Sequence, residues 1–148
     1  MIKQMKKILL LIGFACLSMN AQVKKNKNLK HYSRYDCTAD VIIEDFIKSN
    51  DYLNCPKSNS YKFYDILLND NKIIVTEYNK MEQVQRKLEY EDLVVEYRND
   101  FDVYTEKDGE TDGHQGFREF FVSKDKKKII FYWISYGYEK GQAVYILK

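Results

Sequence analysis

Apolar side chains recur at Ala39, Ile42, Ile43, Phe46 and Ile47, the i, i+3, i+4, i+7, i+8 spacing of one helix face. The pattern predicts an amphipathic helix, with Thr38 as its cap, Asp40 in the positive first turn, Glu44 pairing with Lys48, and Asn50 as its stop. After Pro56 the period changes to two. Residues 61–68 and 72–78 are rich in aromatic and β-branched side chains and flank Asn69-Asp70-Asn71, which predicts a hairpin. Residues 117–123, 129–136 and 142–147 predict three more strands. Turn-forming residues at 124–127 and 137–141 link them into an antiparallel meander. The middle reads two ways. Met81, Val84 and Leu88 fit a helix, whereas Val84, Arg86, Leu88 and Tyr90 alternate with Gln85, Lys87, Glu89 and Glu91, the longer match, which favours a strand. Residues 93–104 predict another. The sum is an α+β class: one N-terminal amphipathic helix packed on a curved antiparallel sheet of about six or seven strands, a single domain over residues 35–148.

The first 34 residues do not belong to that domain pattern. Lys3, Lys6 and Lys7 precede an uncharged, mostly apolar run from Ile8 to Leu17, and a polar exit ends at Ala21, which together predict a cleavable signal peptide over residues 1–21. As a helix the run spans about 15 Å, half of a bilayer core, so no transmembrane segment is expected. The competing reading takes Gly13-Phe14-Ala15-Cys16 as a lipoprotein site with Cys16 acylated; it leaves a very short apolar segment, and release after Ala21 is preferred. The expected location is the periplasm or beyond. Residues 22–34 are rich in lysine and asparagine and predict a flexible basic arm.

Export changes the charge and the cysteine count. Removing three lysines leaves 21 basic against 22 acidic residues, so the formal charge falls from +2 to −1, and no nucleic-acid footprint remains. Cys37 and Cys55 are then the only thiols, an even pair that predicts one disulfide in an oxidising compartment. A helix from 38 to 49 followed by a six-residue return makes that bridge taut unless the helix ends early.

Candidate chemistry is sparse. Asp108, Glu110 and Asp112 alternate before Gly113, and Glu119 follows six residues later; this spacing resembles the calcium-binding loop of EF-hand proteins, D-x-[DN]-x-[DN]-G-x5-E. The resemblance implies an isolated, weak calcium site. Glu110 and Gln115 depart from the pattern, and a solvated hairpin loop is the simpler reading. His31 and His114 lack a partner at metal-ligand spacing, and no HExxH, GxSxG, phosphate loop or dinucleotide fingerprint occurs. The chain carries 13 tyrosines, 8 phenylalanines and 1 tryptophan. Tyr132, Trp133, Tyr136 and Tyr138 predict an aromatic sheet face that binds a protein, peptide or glycan. The expected function is non-catalytic binding or inhibition by a small exported protein. The alternatives are a calcium-stabilised module at 108–119 and an envelope hydrolase.

Overall fold

The computed structural model describes residues 29–37, 43–106, 117–134 and 140–148. Nine strands follow in chain order: β1 (Tyr32–Cys37), β2 (Phe63–Leu68), β3 (Ile73–Tyr78), β4 (Val84–Tyr90), β5 (Leu93–Tyr97), β6 (Phe101–Glu106), β7 (Phe117–Ser123), β8 (Lys128–Ile134) and β9 (Lys140–Leu147). One six-residue helix, α1 (Ile43–Lys48), and a 3-10 turn at Asp51–Asn54 lie between β1 and β2. The α+β expectation is corrected: this is a nine-stranded antiparallel sheet with little helix among the described residues. Two strands were missed. Residues 93–104 are two strands turning at Arg98, whose N–H donates to the Phe101 carbonyl at 3.0 Å. Tyr32, Ser33 and Arg34, assigned by pattern to the basic arm, begin β1.

The sheet order is β4-β3-β2-β1-β9-β8-β7-β6-β5, so the two edge strands are consecutive in the chain and joined only by Glu91 and Asp92. Two residues cannot bridge a flat sheet of this width. The sheet therefore rolls up. The Leu93 N–H donates to the Asn71 carbonyl at 2.9 Å beside β3, while Leu93 is in register with Glu106 on β6. β4 and β5 thus form one bent strand that changes partners at Asp92, whose φ of 53° marks the bend. Following the registers round from Leu93 gives a stagger of about twelve residues, and a barrel of about eight strands has an interior that side chains fill or that holds one small ligand.

Alternation sorts the side chains between two cores. Inward, Tyr32, Tyr64, Ile66, Ile73, Val75, Leu93, Tyr104, Phe120, Val122, Ile129, Ala143 and Tyr145 fill the barrel. Outward, Phe101, Val103, Phe121, Ile130 and Val144 lie under Phe46 and Ile47 of α1. The Lys128 ammonium ties that helix down by donating to the carbonyls of Ile47 at 3.0 Å and of Ser49. The Cys37–Cys55 disulfide closes the same patch.

The tyrosines of the barrel make its stability depend on alkaline pH. The Tyr32 hydroxyl donates to the Lys126 carbonyl at 2.7 Å, and burial, then Asp65 and Asp125, push its pKa up to about 12. Burial also leads in raising Tyr64, Tyr90, Tyr104 and Tyr145. The folded chain holds the protonated phenol, so this stability is complete below the ordinary phenol pKa of about 10 and is lost as pH climbs towards 12. Denaturant titrations are expected to be flat up to about pH 9 and to weaken above about pH 10, with the buried phenols ionising only together with unfolding, while exposed rings such as Tyr97 contribute tyrosinate absorbance independently of it. Residue-resolved ionisation of Tyr32 or Tyr145 in a chain that stays folded would contradict the buried placement.

Candidate functional site

The inner face is apolar over most of its length but charged at one end. Glu77 on β3 stands across from Arg86 on β4, Arg118 on β7 stands across from Trp133 on β8, and Arg118 lies 3.0 Å from Glu106 on β6. Tyr90 links these groups. Burial first raises its phenol pKa, and Arg118, Glu106, Arg86 and Glu77 all act on it. From β1, Arg34 pairs with Asp36 at 2.7 Å and sits over the Tyr145 ring at 5.9 Å.

Aromatic rings form the floor. Trp133 stacks on Phe131 at 5.2 Å, Phe131 on Phe120 at 4.6 Å, and Tyr90 meets Phe120 edge-on at 4.8 Å. The Trp133 indole lies directly over its cross-strand neighbour Gly141: a Cβ there would come within 1.8 Å of Cζ2. Only glycine admits the ring at that position.

Beside this end a cleft of about 510 Å³ opens between β1 and the segment leading into β2. Its origin is local. Pro56 and Ser58 run beside β1, with the Asp36 N–H donating to the Pro56 carbonyl at 3.0 Å and the Ser58 N–H to the Arg34 carbonyl at 2.9 Å. Lys62 next bonds to β3 instead, through its N–H and the Tyr78 carbonyl at 2.8 Å. Residues 59–61 therefore peel away from β1, and Tyr32 with Tyr64 is the single β1–β2 register pair. The far wall is the β3–β4 turn, where the Asn79 side chain accepts from the N–H groups of Met81 at 2.9 Å and Gln83 at 3.0 Å and so positions Lys80. Arg34, Lys57, Lys62 and Lys80 face the cleft together with Ser33, Ser58, Asn59, Tyr61 and Tyr64. Tyr61 meets Tyr64 edge-on at 5.7 Å, and Tyr64 meets Tyr145 at 5.3 Å. The Tyr61 phenol pKa is raised, first by the adjacent Glu77 carboxylate, so the cleft and the charged barrel end adjoin.

Three buried polar atoms without a partner lie in this region: Glu77 is 3% exposed and Tyr64 1%, and the Glu77 Oε2, the Tyr64 hydroxyl and the Glu106 Oε2 find no hydrogen-bond partner in the protein. The Ser33 hydroxyl and both amide atoms of Gln142 are also unpartnered, but alternation puts these side chains on the opposite face of β1 and β9. The Ser58 side chain lies close enough to the Tyr64 phenol to lower its pKa, against the larger effect of burial, which raises it. Leaving such a group unpaired costs about 1–3 kcal/mol, so a concentration of them marks a place where pairing comes from outside the chain.

The residues singled out by pattern distribute differently. Trp133 points into the barrel, while Tyr132, next to it, packs outward beside the α1 cluster. The two therefore share no surface, and Tyr136 and Tyr138 lie outside the described residues. So do Asp108, Glu110 and Asp112; Glu119 is on β7, accepts from the Thr105 hydroxyl at 3.3 Å, and has its pKa raised by burial. Among the described residues no group of three His, Cys, Asp or Glu side chains is placed to hold a metal ion. His31 stacks on Phe63 at 4.0 Å. Pattern reading missed Arg34, Lys57, Tyr61, Tyr64, Glu77, Lys80 and Glu106. One signal was present: Glu77 shares the parity of Ile73 and Val75, an acid on an otherwise apolar strand face.

Fold and site together define a small β-barrel with a charged, aromatic-floored end and a cationic side cleft. Comparison with protein-family models, curated proteins and solved structures returned no match.

Proposed function

We propose that the protein is a small exported, non-catalytic binding protein that takes a polar ligand at the charged end of the barrel. The observation that carries this reading is the gathering of Glu77, Glu106 and Tyr64, each with a buried polar atom lacking a partner in the protein, around one aromatic-floored region. Ligand sites have this composition: an apolar floor with a few converging polar groups. Among the described residues no helix is long and apolar enough to cross a membrane. The disulfide supports an oxidising compartment, the periplasm or outside the cell.

Trp133 is the single tryptophan and lies at the site, so its emission is a built-in reporter. A fragment screen by amide NMR, read together with that emission, is expected to give hits that move Arg34, Glu77, Tyr90, Glu106 and Trp133. Glu77→Gln should weaken those hits by about tenfold, the worth of one charged hydrogen bond. Hits confined to the outer face around Tyr132, or none at millimolar fragment, would dismiss the reading. The hydrolase alternative rests on the approach of Glu77 and Glu106 to the same phenol. It predicts turnover of an envelope glycan that both Glu→Gln changes abolish, and binding without turnover would remove it.

A further inference from the structure

We propose that the cleft between β1 and residues 57–62 is an oxyanion-recognition site, taking the phosphate, sulfate or carboxylate group of a small organic ligand whose body lies against Tyr61 and Tyr64. This rests on the binding reading above and names the chemistry of its side entrance. Four cations line the cleft. Arg34 is answered by Asp36 at 2.7 Å and Lys62 by Glu82 at 2.9 Å, but Lys57 and Lys80 have no carboxylate within ion-pair distance among the described residues. No acidic residue lines the cleft. Among the lining residues the balance is therefore positive by the two unanswered ammoniums, a field that attracts anions and repels amines, with Glu77 and Arg86 as an opposed pair of charges behind Tyr61.

Short-range groups agree with that field. Tyr64 and Ser33 both line the cleft, and each carries a buried hydroxyl without a hydrogen-bond partner in the protein. Burial favours the protonated phenol, which makes Tyr64 a donor awaiting an acceptor. Two hydroxyl donors and two free ammoniums complement a group that only accepts, with several oxygens, and charge-assisted bonds of this kind are the strong ones. The volume of about 510 Å³ suits a body of monosaccharide size. Tyr61, half-buried and edge-on to Tyr64, offers a flat wall for it.

The test is calorimetric titration of the purified protein with glucose 6-phosphate, N-acetylglucosamine 6-sulfate, glucuronate, neutral glucose and inorganic phosphate, repeated on Lys57→Gln/Lys80→Gln and on Tyr64→Phe. At least one anionic sugar is expected to bind about tenfold or more tightly than glucose, with the double variant losing about tenfold and Tyr64→Phe several-fold. The preferred sugar identifies the oxyanion, and inorganic phosphate binding as well as the sugar ester would show that the body contributes nothing. Equal affinity for glucose and its charged analogues, unchanged binding in the double variant, or no binding by any anion at 10 millimolar overturns the proposal. Glucose binding that moves Trp133 emission but ignores Lys57 and Lys80 would leave the barrel-end reading standing while this one fails. Lys57 and Lys80 are exposed, so their loss should not disturb folding; an unchanged melting temperature checks that.

Discussion

Phe120→Ala is expected to destabilise the protein by about 3–5 kcal/mol, on the order of 10–20 °C in melting temperature. Phe120 is 1% exposed and bridges opposite parts of the wall: it stacks on Phe131 of β8 and takes the edge of Tyr90 from β4. Removing its ring leaves a cavity that a closed barrel cannot collapse, because hydrogen-bonded strands hold the surrounding walls apart. The control is on the same strand. Phe117 is 40% exposed, and Phe117→Ala should cost no more than about 1 kcal/mol. Urea unfolding followed by Trp133 fluorescence measures both, and near-ultraviolet dichroism should show Phe120→Ala loosening the aromatic floor. Equal, small effects from the two substitutions would mean that the interior is not packed as described.

Loss of the disulfide comes next in size. Cys37 and Cys55 are separated by 18 residues, and opening a loop of that length releases unfolded-chain entropy worth about 3 kcal/mol. Cys37→Ala/Cys55→Ala should therefore unfold at clearly lower urea, and reductant should lower the wild type to the same midpoint without affecting the variant. The consequence extends to the cleft. Cys55 precedes Pro56, which bonds to Asp36, and Lys57, which bridges to Tyr35, so the bridge anchors the strip that carries one wall. Weaker anion binding by the reduced protein is the expected companion. Identical midpoints for the oxidised and reduced chains would remove the bridge from the account of stability.

Much of the strand content was legible. Residues 117–123 appear as β7 without change, and β2, β3, β8 and β9 differ only at their ends, because period-two alternation is local and needs no partner to be recognised. β1 was not legible. Tyr32-Ser33-Arg34-Tyr35-Asp36-Cys37 is half polar and continues a lysine-rich stretch, yet it joins β9 to β2 near the centre of the sheet. Its ladder to β9, together with the burial of Tyr32 and Cys37, holds it there. The bend at Asp92 was equally hidden: a single residue with positive φ turns β4 into β5 and allows the wall to close. Tyr132 and Trp133 were expected together in one aromatic binding set. Alternation places them on opposite faces, and large rings on both sides gave no sign of which face was inner.

The amino-acid order alone settled which segments alternate, where turns interrupt them, and that Cys37 and Cys55 could bridge. Tertiary structure decided which strand lies beside which and therefore that the sheet rolls up. It also decided that Glu77, Glu106 and Tyr64 meet at one end while Lys57 and Lys80 line one cleft. The reason is range. Alternation follows from backbone geometry within a few residues, whereas the site is assembled from strands far apart in the chain, whose neighbours are chosen only when the whole wall closes.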